Sequence, residues 1–346
     1  MATIQQSSTA SNATQLREHF QSRSLFMDSL ARLARNKAAV LGAVIVLANV
    51  LMAIFAPVIA PMSYDKTDFA ATNTAPQWLV NIFPSMKPVS EGGYITINDD
   101  YTLGADALGR DLLSRIIYGS RISLGVALVG PLVSISIGLT VGIISGYVGG
   151  RVDNAIMRAV DIMYAFPTYL LIILLMAFFR TSFSDLAPGS LAYSLGQLDS
   201  ALGGLFFVFI GIGLTSWMGM ARLARAQVLS VRELGYIEAA RSMGAGTPQI
   251  LLRHVLPNII GPLIVSETLA IPGYISYEAF LSFIGLGVTP PTPSWGSMIA
   301  DGARVIQPYP YQAVFPALAL FLIMFAFNFL GDGLRDALDP RLRGQD

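Results

Sequence analysis

An all-α integral membrane protein with six transmembrane helices is the architecture this chain predicts, on three grounds. Hydrophobic residues make up 53% of its 346 positions and charged ones only 13%, with a mean hydropathy of +0.58, which is not the composition of a soluble globular domain. Six stretches offer the run of roughly 20 apolar residues that a helix needs to cross a bilayer. They lie at about 38–60, 122–146, 156–179, 201–220, 258–286 and 314–332. The basic residues then divide by side: 15 of the 22 fall in the tails and in the segments after spans two and four. By the positive-inside bias, both termini and residues 221–257 are expected in the cytoplasm.

Taken in order, residues 1–37 are a polar cytoplasmic tail carrying Arg17, Arg23, Arg32, Arg35 and Lys37. Phe26, Leu30 and Leu33 recur at helical spacing, so a short helix is expected on the membrane surface. The apolar run 38–60 starts too late and is too long for a secretory signal, and it is read as an uncleaved first span. Residues 61–121 form a periplasmic loop, irregular through its prolines and the Gly92-Gly93 pair. Near its end, Leu112, Leu113, Ile116 and Ile117 oppose Asp111, Ser114 and Arg115, the pattern of an interfacial amphipathic helix.

Residues 122–332 hold the other five spans, with the cytoplasmic loop 221–257 among them, and 333–346 are a cytoplasmic tail. In the second span Ser134, Gly138, Gly142 and Gly146 make a smooth stripe that lets another helix backbone come close. Asp161 in the third is expected near the cytoplasmic end beside Arg158, as a structural pair. The fifth contains Glu267 and Glu278 around Pro272-Gly273, a Pro-Gly break of the kind found in the discontinuous helices of ion-coupled transporters.

Several function classes are excluded. Zero net charge offers no basic surface for nucleic acid. Without cysteine there is no thiol nucleophile or thiolate metal site, and the two histidines, His19 and His254, have no clustered carboxylates. The three lysines, Lys37, Lys66 and Lys87, never follow glycine, so the phosphate loop of an ATPase is missing. No Ser/His/Asp or paired-carboxylate arrangement supports an enzyme.

The chemistry concentrates in Glu238 to Pro257, EAARSMGAGTPQILLRHVLP, a polar island between apolar segments. Tyr236, Ile237, Ala240 and Met243 share one face of a short helix, with Glu238 near its positive end and Arg241 near its negative end. Gly244 stops it, and a second short run, Ile250 to Leu256, is expected to end at Pro257. Glu238-Ala239-Ala240, Gly244 and Leu256-Pro257 at this spacing resemble the EAA loop of ATP-binding-cassette importer permeases, with His254 where many members have Ile. Residues 103–124 (LGADALGRDLLSRIIYGSRISL) and 278–302 (EAFLSFIGLGVTPPTPSWGSMIADG) resemble the C-type subunit of the dipeptide and oligopeptide branch.

The resemblance implies a type I importer permease of the bacterial or archaeal cytoplasmic membrane, moving di- or oligopeptides. Glu238, Ala239, Ala240, Arg241, Gly244, Leu256 and Pro257 would form a coupling helix seated in a groove of the ATPase. It also implies as partners a related second permease, two ATPase subunits that carry ATP and Mg, and an extracytoplasmic binding protein, with no cofactor in this chain. No internal repeat supplies the second EAA-like loop, so the permease pair is expected to be a heterodimer. Asp161, Glu267 and Glu278 are candidate structural or gating residues, and they alone would serve the alternative, an ion-coupled secondary transporter.

Overall fold

Long runs of apolar residues have only one way to satisfy their backbone within hydrocarbon short of a closed barrel, and the chain takes it. The computed structural model describes residues 25–182 and 190–338, and among these the backbone is helical apart from loops and three isolated β-bridges near the first connection. Arg17, Arg23, His19, Arg341 and Arg343 lie outside the described residues, as do the side chains of Phe26 and Arg180.

The elements in order are α1 (Leu25–Arg35), α2 (Lys37–Ile54), α3 (Ala56–Ile59), α4 (Gln77–Ile82), α5 (Leu112–Val148), α6 (Gly150–Tyr164) and α7 (Thr168–Ser182). Then follow α8 (Leu191–Ala201), α9 (Leu205–Arg232), α10 (Gly235–Ser242), α11 (Thr247–Phe283), α12 (Trp295–Arg304) and α13 (Tyr311–Leu338). Five of them, α2, α5, α9, α11 and α13, are long and apolar enough to cross a membrane, and α6 with α7 makes a sixth span if the bent pair is counted as one.

That bent pair corrects the third expected span. Residues 156–179 do not form one rod, because the chain turns by 81° between Tyr164 and Thr168. Pro167 explains the turn: it has no N–H to give the preceding turn, and it disfavours helical geometry at Phe166. The fifth span departs in the opposite sense. α11 runs unbroken through Pro262 and Pro272, so the expected Pro-Gly break is absent. Pro272 lacks only the N–H that would bond the Thr268 carbonyl, and the helix tolerates that single loss.

The interfacial helix expected at 111–117 is instead the first two turns of α5. Asp111 caps it, accepting from the Ser114 amide at 2.7 Å. Its polar side is not wet: Ser114 and Arg115 are buried under the 61–111 segment, and the Arg115 guanidinium donates to the Tyr64 carbonyl at 3.2 Å. That segment is irregular in backbone yet packed. Ala75, Leu79, Met86 and Ile95 form one cluster with Trp295 of α12 and Tyr311 of α13. The Trp295 indole donates to the Ile116 carbonyl at 3.0 Å, and the Tyr311 hydroxyl reaches the Thr74 and Ala105 carbonyls at 3.1 and 2.8 Å. Burying rings of this size stabilises by about 2 to 3 kcal/mol each.

The glycine stripe does what its spacing predicts. α5 lies against α9 so closely that a Cβ on Gly138 would sit 2.5 Å from the Trp217 carbonyl oxygen, and one on Gly142 would sit 2.5 Å from that of Ala221. Ser134, at the head of the stripe, donates across to α9 or α11 (below). At the other flank α1 packs on the end of α13, with Leu33 near Gly333 and Leu30 exposed. Asn36 accepts from the Ala38 and Ala39 amides and so starts α2.

Candidate coupling loop and buried carboxylates

The chain leaves α9 at Arg232, whose guanidinium donates to the Gly146 carbonyl of α5 at 2.8 Å and to Glu233 at 2.9 Å. The base of the loop is thus tied to a second helix before α10 begins. Ile237 is fully buried in a cluster with Ala224, Val228 and Val231 of α9 and Ile250, Val255 and Ile259 of α11. Ala240, one turn on, is buried on the same face. Tyr236 and Met243 are not: they are 43% and 82% exposed, so the four-residue apolar face expected for this helix is a two-residue one. Tyr236 is adjacent to Ile237 and so points about 100° away from it, while Met243 already caps the helix end.

Gly244 carries φ +85°. Around it the Ala245 amide donates to the Ala240 carbonyl and the Gly244 amide to that of Arg241, both at 3.0 Å. This double closure is the usual glycine stop of a helix. Nothing lies within 4 Å of where a Cβ would stand on Gly244, so backbone conformation, not space, calls for glycine. Glu238, Ala239 and Arg241 are exposed, and among the described residues neither charge pairs with another in the chain. The loop therefore presents Tyr236, Glu238, Ala239, Arg241 and Met243 outward from a helix pinned on its inner face.

Leu256 packs on the same inner cluster, and Pro257 is exposed. Pro257 does not end a helix. A wide turn over Leu251–Val255 leads straight into the rest of α11, absorbing the amide that proline lacks. The expected helix-turn-helix is thus a short helix followed by the foot of a long one. His254 lies with its ring 6.3 Å from that of Tyr236, at the root of the exposed face.

Of the acids singled out in the sequence, Asp161 is exposed and pairs with Arg222 of α9 at 2.6 Å, not with Arg158. The Arg222 guanidinium also lies over the Tyr164 ring, 4.1 Å from its centroid. Glu278 is fully buried and accepts from Ser282 at 2.6 Å, and the same hydroxyl receives the Val288 amide at 3.3 Å. Glu278 thus holds the hydroxyl that receives the backbone leaving α11. Glu267 is buried too, accepting from Ser134 of α5 at 2.6 Å and from Tyr274 at 3.0 Å.

Sequence reasoning missed the strongest polar clamp near the loop. Arg225 of α9 donates to Asp153 of α6 through Nε at 2.5 Å and Nη2 at 2.6 Å, a bidentate pair, and Ser145 of α5 also donates to Asp153. Three helices meet there. The partners are 72 residues apart, and no local periodicity encodes that distance.

Residues 138–344 match the family described as binding-protein-dependent transport system inner membrane component, and residues 24–76 match the N-terminal TM domain of oligopeptide transport permease C. Among curated proteins, the oligopeptide transport system permease protein OppC of Escherichia coli is 39% identical over 321 residues, 93% of each chain. The dipeptide transport system permease protein DppC of Bacillus subtilis is 36% identical, over 91% of this chain and 86% of that one. The glutathione transport system permease protein GsiD of an Escherichia coli O6 strain is 37% identical over 97% of each.

Proposed function

This chain belongs to the family of binding-protein-dependent transport system inner membrane components, and we propose that it is the membrane-spanning permease subunit of an ATP-driven importer of peptides. The peptide assignment follows relatives whose named cargoes are oligopeptides, dipeptides and glutathione, all built of amide-linked amino acids. It works with a second, related permease, two ATPase subunits that bind ATP and Mg, and an extracytoplasmic binding protein. Both termini and α10 face the cytoplasm of a bacterial or archaeal cell, by the distribution of basic residues.

One observation carries the mechanism: α10 is held by Ile237 and Ala240 on its inner face while Glu238, Ala239 and Arg241 stand free on its outer one. A push on the outer face bears on that packed inner face. Force from a closing ATPase pair passes through Ile237 into α9 and the foot of α11, which share the same packed cluster. A ligand can move a two-state element only by contacting its states differently, and a rigid helix end seated in a groove provides that difference. ATP hydrolysis on the partners thereby moves helices that bound the substrate path, and this chain does no covalent chemistry.

The ion-coupled alternative loses its main support, since α11 has no break between Glu267 and Glu278. The test is reconstitution. Proteoliposomes holding the purified complex, with its binding protein outside and ATP inside the ATPase compartment, are expected to accumulate labelled peptide. Uptake by this chain alone, driven by a proton or sodium gradient without nucleotide, would refute the assignment.

A further inference from the structure

We infer that the cavity beside Glu267 is a subsite for a primary ammonium group of the passing peptide, a proposal that rests on the peptide-importer reading above. The cavity, about 220 Å³, opens between α7, α9 and α11 and is walled by Tyr164, Thr168, Thr215, Ser216, Tyr274 and Tyr277 around the Glu267 carboxyl. No Lys, Arg or His lines it. A carboxylate in a membrane segment is costly unless paired, and such groups usually face a bundle interior or a wet cavity beside a partner. Asp153 and Asp161 have arginines, and Glu278 is fully buried against Ser282 and does not line this cavity. Glu267 combines burial, an opening and no cation among its partners.

Its two protein donors do not exhaust it. Ser134 and Tyr274 each offer one hydrogen, and Ser134 also stands 3.2 Å from the Ser216 carbonyl, so its single proton is shared between two acceptors. A carboxylate has about four acceptor directions, which leaves room for further donors. An ammonium brings three hydrogens and a full positive charge, and the surrounding hydroxyls accept from it as readily as they donate. The tyrosine rings add faces that attract a cation. A metal ion is a poorer fit, since no group of three His, Cys, Asp or Glu assembles among the described residues. The ammonium can come from a peptide's amino terminus or from a lysine side chain, and the experiment separates the two.

The complete complex in proteoliposomes is treated with dicyclohexylcarbodiimide, and modification of Glu267 is followed by mass spectrometry with tri-alanine, N-acetyl-tri-alanine or N-acetyl-Ala-Lys-Ala present. Tri-alanine is expected to slow modification about tenfold, the effect of roughly 1.4 kcal/mol of protection, and N-acetyl-tri-alanine is expected not to. Protection by the acetylated lysine peptide would extend the ligand to any primary ammonium, and its absence would confine the site to the amino terminus. Equal protection by both alanine peptides, or no modification in their absence, overturns the subsite. Glu267→Gln keeps the shape and removes the charge. It should cut ATP-driven uptake of tri-alanine about tenfold while the complex still assembles and its ATPase still responds to loaded binding protein. Loss of assembly and of ATPase response together would make Glu267 a structural clip and overturn the proposal. A wild-type complex that accumulates no peptide would instead overturn the importer reading, whereas accumulation without protection of Glu267 overturns the subsite alone.

Discussion

Arg225 and Asp153 face each other across α9 and α6 in a fork-to-fork pair, with bonds of 2.5 and 2.6 Å, two turns before α9 ends at Arg232. Ser145 completes the contact from α5. A pair of this geometry fixes both distance and rotation between the helices, which a single ammonium would not do. It therefore ties the end of α9, from which the 221–257 loop departs, to α6.

Breaking this pair should be costly because each change strands its partner. Asp153→Ala leaves a guanidinium two-thirds covered with no counter-charge, at a cost of about 2 to 3 kcal/mol, below the range for fully buried pairs. The measurement is the thermal midpoint of the detergent-purified complex, which should fall in Asp153→Ala and in Arg225→Ala. The double variant should fall by less than the two single losses added together, since they share one interaction. Additive losses would show that the pair contributes nothing as a pair.

The α5–α9 contact predicts an asymmetry among glycines. Gly142→Val places methyls where the Ala221 carbonyl and Ala224 Cβ already lie, 2.5 and 2.6 Å from a Cβ, and should destabilise by about 2 to 3 kcal/mol. Gly261→Ala in α11 meets nothing within 4 Å and should be neutral or stabilise by about 0.5 kcal/mol through helix propensity. Yield and thermal midpoint of the two purified variants, compared side by side, check the contrast.

Glu238→Ala removes one outward charge without touching the inner face of α10. Fold and insertion should be unchanged, while binding of the ATPase subunits should weaken by about 1 to 3 kcal/mol, seen as faster dissociation at raised salt. Ile237→Ala should do the reverse: it opens the inner cluster, costs about 2 to 4 kcal/mol of stability, and loosens the loop from within.

The sequence made the membrane architecture, the loop and the glycine stripe legible because each has a short-range signature: span length, the Glu-Ala-Ala to Gly244 spacing, a four-residue repeat. Proline was the misleading signal. Pro167 broke a span that hydropathy joined, whereas Pro272 failed to break one, because a single missing backbone hydrogen bond is tolerated inside a long packed helix. The polar start of α5 looked interfacial only because its cover, the packed 61–111 segment, is remote in chemistry from any periodic pattern. Asp153 with Arg225, and Glu267 with Ser134, pair over 72 and 133 residues. Such partners emerge only when the helices are in place.

The central claim, that α10 transmits ATPase closure as a rigid element, is tested most directly at Gly244. An aspartate there has space but must hold φ near +85°, a strain of about 1 kcal/mol or more, or else let the helix end unwind. Binding-protein-stimulated ATP hydrolysis and peptide uptake should be measured together in proteoliposomes holding the Gly244→Asp complex. Basal hydrolysis and ligand capture by the binding protein are expected to persist, while stimulation and uptake are lost. A Gly244→Asp complex that inserts, responds to loaded binding protein and transports at the wild-type rate would contradict the claim.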